Sequence, residues 1–231
     1  SLSLEEKFNL ISSVGEEVID PKELKTLLET KKFPVCYDGF EPSGRMHIAQ
    51  GILRSINVNK LTKAGCQFKF WIADWFALMN QKMGGDIEKI RIVGKYFVEI
   101  WRAVGMDLKN VEFLWCSDEI NRRPEEYWTS VIDVATKFSY DRILRCTQIM
   151  GRSDKDALQI SQIMYPCMQC ADIFFIGADI CQLGNDQRKV NMLAREYCDL
   201  NKTKTKPVIV SHSKFFLLIF TLIFFRNVIR A

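Results

Sequence analysis

A chain of 231 residues, 48% hydrophobic and 26% charged, has the make-up of a soluble globular protein with enough apolar material for one sizeable core. Its net charge of +4 is too small for a histone-like polybasic binder, although a local basic face could still track phosphates. The eight cysteines are scattered through mostly apolar contexts, unlike the dense framework of a small secreted domain, which predicts reduced thiols and a cytosolic protein.

The first residues, Ser1-Leu-Ser-Leu-Glu-Glu-Lys7, have no charged region followed by an apolar core, so no signal peptide is expected; the missing initial Met points to residues upstream. Apolar positions at helical spacing predict helices over 4–14 and 21–30, the second with Pro21 in its first turn. Phe33 to Phe40 then reads as a strand, and Glu41-Pro-Ser-Gly44 as a turn into a helix from about His47 to Lys63. The pattern repeats with strands at 66–74, 111–116, 179–183 and 207–211, helices at 86–104 and 186–196, and helical segments from about 124 to 145. Strands alternating with helices of this length predict an α/β fold, a Rossmann-like parallel sheet with helices on both faces, and ligands at the carboxyl ends of the strands. Residues 201–206 read as a solvated loop. The apolar run from Phe215 to Phe225 is too short to cross a bilayer as a helix, which takes roughly 20 residues. It reads as a buried strand or an out-of-context tail, and no membrane association is expected.

Three strand-to-helix junctions carry chemistry. Pro42-Ser-Gly44-Arg-Met-His47 precedes a helix whose unpaired N–H groups and positive dipole end could hold an anion, or it is simply a glycine-bearing turn. In Tyr165-Pro-Cys-Met-Gln169-Cys-Ala-Asp172 the hydroxyl, the amide and the carboxylate fall on one helical face, either lining a site or facing solvent. Cys167 and Cys170 fall on the opposite side of that helix, and no second Cys-x-x-Cys or closely spaced His pair completes a metal site, so packing is their expected role. In Gly184-Asn-Asp186-Gln187-Arg-Lys the acid and the amide could bond a ligand, and Asp186 could equally cap the helix.

In combination these segments resemble the class I tyrosyl-tRNA synthetases of archaeal and eukaryotic type. The stretch Tyr37-Asp-Gly-Phe-Glu-Pro-Ser-Gly-Arg-Met-His47-Ile-Ala-Gln50 is similar to that family's version of the His-Ile-Gly-His motif. The Tyr-x-x-x-Gln-x-x-Asp helix and the later Asp-Gln-Arg-Lys segment follow in the family's order, and the similarity runs from about residue 5 to His212. The resemblance implies that Tyr37 and Asp172 bond a tyrosine phenol, and that Tyr165, Gln169 and Gln187 take its amino end. It makes His47 and Gln50 the catalytic positions, and it assigns ATP to Gly39, Glu41, Gly44, His47, Gly184 and Asp186. ATP with Mg2+ would be a substrate, with no tightly bound cofactor and no resident metal. The partners implied are tyrosine, ATP, the acceptor end of tRNA(Tyr) and a second copy of the chain, with residues 118–150 near the dimer interface.

Two departures stand out. The first motif ends Ala49-Gln50 where the family commonly has Gly-His. After His212 the family continues to a Lys-Met-Ser-Lys-Ser-like loop and an anticodon-binding domain, whereas here Ser213 leads into the apolar run. The organisation expected is therefore N-terminal helices over 1–32, a catalytic domain over 33–212 and an atypical tail over 213–231. Loss of one preorganised charge donor typically costs about 10²- to 10³-fold in rate, so weak adenylate formation is expected of this chain. The alternative is a non-catalytic module that binds tyrosine or mediates dimerisation.

Overall fold

The computed structural model describes residues 2–46, 48–151 and 157–212, apart from the side chains of residues 48–50. A six-stranded sheet runs in the order β1-β6-β5-β2-β3-β4, from β1 (Glu17–Ile19), β2 (Val35–Phe40), β3 (Gln67–Ile72), β4 (Val111–Trp115), β5 (Ile180–Gly184) and β6 (Val208–His212). Strands β2 to β6 pair in parallel, as the alternation of elements predicts. β1 does not: it runs antiparallel to β6, with Val18 opposite Val210. Three residues between two helices are too few to show an alternating pattern, and their partner lies almost at the other end of the described chain, so the sequence does not announce this strand.

One face of the sheet is covered by α1 (Leu4–Ser12), α2 (Pro21–Thr30), α3 (Ile48–Lys63) and α5 (Ile87–Ala103). The other carries α4 (Asp74–Met79), α6 (Cys116–Arg122), α7 (Pro124–Lys137), α8 (Tyr140–Cys146), α9 (Ile160–Phe175) and α10 (Arg188–Leu200). Each strand feeds both cores: Cys36 and Phe40 of β2 point into the first and Tyr37 into the second, which is why the strands read as nearly continuous apolar runs. The helical segments expected over 124–145 are α7 and α8, divided because Phe138 is extended (φ −121°, ψ 142°) and the Ser139 hydroxyl accepts the Arg142 N–H at 3.3 Å to start α8. α10 begins at Arg188 after a 3-10 turn over Asn185–Gln187. Neither Gly184 nor Gln187, the residues that precede these two elements, caps them through its side chain. β2 lies between β5 and β3, so the chain reverses its winding direction there and leaves a crevice at the carboxyl ends of β2 and β5.

Candidate active site

A cavity of about 500 Å3 opens at that crevice. Tyr37, Gly39, Glu41, Tyr165, Gln169, Asp172, Gly184, Asp186 and Gln187 all line it, so three segments remote in sequence converge on one space. Gly44 lies in the adjoining turn rather than on the wall, with φ +66° and its N–H 3.3 Å from Met83 Sδ. His47 lies outside the described residues, as do the side chain of Gln50 and the tail over 213–231.

The polar stripe of α9 is buried, not solvated: Tyr165 is 7% exposed, Gln169 6% and Asp172 1%. Asp172 Oδ1 accepts a hydrogen bond from the Tyr127 hydroxyl at 2.8 Å, while Oδ2 receives none among the described residues. Burial pushes the Asp172 carboxyl well above the usual carboxylate range, and the Tyr127 bond pulls it back. Burial, then the neighbouring Asp172 charge, holds the Tyr37 phenol well above its ordinary value, so at neutral pH it is a donor. Further along, the Tyr165 hydroxyl donates to Glu41 Oε1 at 2.7 Å, and Asn80 Nδ2 donates to the same carboxylate at 3.3 Å. Gln169 Nε2 donates to Gln187 Oε1 at 3.0 Å, Gln187 Nε2 donates to the Ile149 carbonyl at 3.0 Å, and Gln169 Oε1 accepts no bond among the described residues. This end of the cavity therefore presents acceptors. Behind the stripe, Cys167 and Cys170 are buried in the core, and burial raises the Cys167 thiol to about 11.

The opposite wall contains residues the sequence reading did not select. Asp38 is 1% exposed and its Oδ2 lies 2.9 Å from Arg54 Nε. Burial raises its pKa to about 6 while Arg54 opposes the rise. His212 Nδ1 is 2.7 Å from Gln182 Nε2, and burial followed by the Arg54 charge lowers its pKa to about 4, so it is neutral at physiological pH. Two glycines keep the floor open. A Cβ at Gly39 would lie 2.9 Å from the Tyr37 hydroxyl, and one at Gly184 would collide with Asp186 Oδ1. Asp38 had a usable signal, since the residue after Tyr37 in a strand must face the other side. Asn80 and Tyr127 had none, because α4 and α7 reach the site only through tertiary packing.

The sequence model of the family described as tRNA synthetases class I (W and Y) matches residues 29–222. The chain belongs to this family. It is 64% identical to tyrosine–tRNA ligase 1, cytoplasmic, of Arabidopsis thaliana over 92% of its own length and 55% of that protein's. It is 38% identical to the tyrosine–tRNA ligase of Sulfolobus acidocaldarius over 92% of its own length and 58% of that protein's. The chain thus spans about half the length of the curated relatives it matches. Among solved structures, Leishmania major tyrosyl-tRNA synthetase in complex with tyrosinol superposes with a TM-score of 0.89 at 58% identity, over 92% of this chain and 32% of that one. The Pyrococcus horikoshii enzyme complexed with L-tyrosine gives 0.83 at 33% identity, over 92% and 60%. A Plasmodium falciparum tryptophanyl-tRNA synthetase, at 18% identity and a TM-score of 0.71, shares the fold alone. By sequence this synthetase domain falls with the tyrosyl members.

Proposed function

We propose that the chain is the tyrosine-activating portion of a cytoplasmic tyrosine–tRNA ligase, which uses ATP to load tyrosine onto tRNA(Tyr). The observation that carries this reading is Asp172, which lines the same cavity as Tyr37 and whose buried Oδ2 accepts no hydrogen bond of good geometry among the described residues. A substrate phenol donates to Asp172 and accepts from Tyr37; phenylalanine leaves both stranded, a cost of roughly 1–3 kcal/mol for each buried unpaired group. The ammonium end meets Gln169 Oε1, Gln187 Oε1 and the Tyr165 oxygen, all acceptors. The substrate carboxylate then attacks the α-phosphorus of ATP, the bond to pyrophosphate breaks, and tyrosyl-adenylate forms. A hydroxyl of the 3′-terminal adenosine of tRNA next attacks the tyrosyl carbonyl and AMP leaves. Neither step needs a covalent enzyme intermediate, so the protein's work is positioning and charge stabilisation. His47 and Gln50, with the Gly44 turn and the N-terminus of α3, are the groups assigned to the phosphates. Gly184 and Asp186 are assigned to the ribose, and Mg2+ arrives with ATP and screens its phosphates.

Tyrosine-dependent ATP–pyrophosphate exchange tests this directly, with phenylalanine as the control amino acid. Weak exchange with tyrosine, and none with phenylalanine, is expected. Tyrosine binding without any exchange would reduce the chain to a binding module, and equal response to both amino acids would remove the phenol reading. A homodimer is part of the same proposal, supported by Ile132 and Tyr140, each 61% exposed, within residues 118–150. Light scattering on the parent and on Ile132→Lys checks it, with a dimer expected only for the parent.

A further inference from the structure

We propose that the edge of the sheet opposite the cavity binds single-stranded RNA, its lysines meeting the phosphates while Phe33 stacks on a base. The pairing register sets the strand starts side by side: Val35 lies opposite Gln67, Phe68 opposite Val111, and Ile180 opposite Cys36 and Val208. The segments leading into these strands therefore share one edge. Backbone hydrogen bonds tie them together, from Gln67 N to the Pro34 carbonyl at 2.9 Å, from Phe68 N to that of Asn110 at 2.8 Å and from Val208 N to that of Asp179 at 2.8 Å. Residues 31–34, 64–66, 104–110, 176–179 and 201–207 make up the edge, and they hold six lysines against two aspartates. That excess equals the net charge of +4 for the whole chain, so a modest total is concentrated at one end of the molecule.

Two of these lysines are engaged, Lys31 with Asp179 at 2.7 Å and Lys206 with Asp199 at 2.5 Å. Lys32, Lys109, Lys202 and Lys204, with Lys63 at the end of α3, are exposed and form no ion pair among the described residues. Free lysines alone suit any polyanion. Phe33 narrows the choice, because it stands among them 53% exposed with Lys32 Nζ 5.2 Å from its ring centroid. An exposed ring flanked by ammonium groups is how single strands are held, since every base has a π-face and the phosphates follow the backbone. A duplex keeps its bases stacked on one another, and these short loops project no helix or ribbon into a groove. An acidic peptide supplies charge without a planar base. The strands are five or six residues long, roughly 17 to 20 Å, so a strand held here is remote from the cavity at their carboxyl ends and from the acceptor end of tRNA(Tyr) assigned to it.

The test is a fluorescence-anisotropy titration of a labelled oligouridine of twelve nucleotides, at several salt concentrations, with the full 231-residue chain, with Phe33→Ala and with the combined Lys32→Gln, Lys202→Gln and Lys204→Gln variant. Phe33→Ala should lose about five- to a hundredfold in affinity, the value of one stacked base, and Phe33→Trp should bind at least as tightly as the parent. The lysine variant should show a salt slope shallower by about 2, at roughly 0.7 for each phosphate contact to a single strand. Melting temperature and tyrosine affinity should stay at the parent's values in every variant, which separates a lost site from a lost fold. No binding of the oligouridine at low salt overturns the proposal, as does equal affinity for parent and Phe33→Ala. Competition by polyglutamate or by a duplex of equal length as strong as that by unlabelled oligouridine also overturns it, in favour of an unselective charge patch. Oligouridine binding by a chain that fails to bind tyrosine would sink the amino-acid assignment and leave this site standing.

Discussion

The two faces of β2 handle buried polarity in opposite ways. On the Tyr37 side, hydroxyls, amides and carboxylates are joined in a network in which Tyr127 bonds Asp172, Tyr165 bonds Glu41 and Gln169 bonds Gln187. The gaps in that network, at Asp172 Oδ2 and Gln169 Oε1, have the polarity of a tyrosine's two polar ends. On the Asp38 side the described residues form only the pair of Gln182 with His212 and the ion pair of Asp38 with Arg54. A carboxylate is buried against one guanidinium, and its pKa of about 6 records how poorly the fold solvates the charge. The difference shows two ways of keeping polar groups in a core: a nearly closed network discriminates because the wrong ligand strands a bond, whereas a poorly solvated charge is kept at the expense of stability. The first stabilises the empty protein, and the second weighs against it.

The largest effect is expected on the closed side. Asp172→Ala should weaken tyrosine binding by roughly 1.5 to 3 kcal/mol, the value of a hydrogen bond to a charged acceptor, and leave phenylalanine affinity little changed. It also leaves the buried Tyr127 hydroxyl with only the Met168 carbonyl at 3.5 Å, so the melting temperature should fall, and Tyr127→Phe should show a loss of stability without the loss of tyrosine selectivity. Calorimetry with both amino acids decides it: an equal loss for tyrosine and phenylalanine would take Asp172 out of phenol recognition.

On the open side the expectation has the reverse sign. The Asp38 carboxyl titrates at about 6 in the folded chain against 3.8 for the unperturbed group. The folded state therefore keeps its proton longer than the unfolded state, and Asp38 subtracts stability as pH rises from about 4 to about 6, with no further change above that. At most roughly 3 kcal/mol is involved, less whatever local relaxation recovers. Asp38→Asn should thus gain on the parent across this window and hold a constant advantage above it. His212, lowered to about 4, loses stability in the opposite direction as pH falls from its unperturbed 6.5, but it is common to both chains and cancels in the difference. Urea unfolding of both proteins at several pH values reads the gap directly; a gap independent of pH would mean that Asp38 is not the strained group described here.

Gly39 divides the two sides. A Cβ there would sit 2.9 Å from the Tyr37 hydroxyl, and a tyrosine ring held in the core cannot swing away at little cost. Gly39→Ala should therefore displace Tyr37 and reduce tyrosine affinity by about 1 to 3 kcal/mol, the usual range for overpacking. Adenosine affinity should change less. If both ligands suffer equally, the two walls are not independent and the contrast between them weakens.

Much of this arrangement was legible in the residues. The strand and helix alternation gave the parallel sheet because burial on both faces imposes long apolar runs, and the spacing of Tyr165, Gln169 and Asp172 placed them on one face because a helix has a fixed period. What escaped was whatever depends on a remote partner. β1 exists only through its pairing with β6. Tyr127 reaches Asp172 only because α7 packs on α9, and Asn80 reaches Glu41 from the end of a six-residue helix too short to show a period. Asp38 was legible in part: its place next to Tyr37 in a strand puts it on the other face, but only the sheet order shows β2 to be central and that face to be buried.

The smallest effect concerns the back of α9, the control for the comparison. Cys170 is fully buried, its thiol held well above its ordinary pKa first by burial, in the core behind the Tyr165, Gln169 and Asp172 stripe. Replacing it with serine keeps the volume nearly unchanged but buries a hydroxyl in place of a weakly polar thiol, a change worth roughly 1 to 3 kcal/mol when no partner is found. Cys170→Ser should therefore lower the melting temperature and leave tyrosine and adenosine affinities within about twofold of the parent, because ΔΔG values of separate sites add when they share no partner. Stoichiometric zinc in the parent purified without added metal would contradict a packing role, and so would a loss of tyrosine binding in Cys170→Ser as large as that in Asp172→Ala. In the latter case α9 would be transmitting core strain to the pocket, and the selectivity attributed to Asp172 would have to be shared with the packing that holds the helix in register.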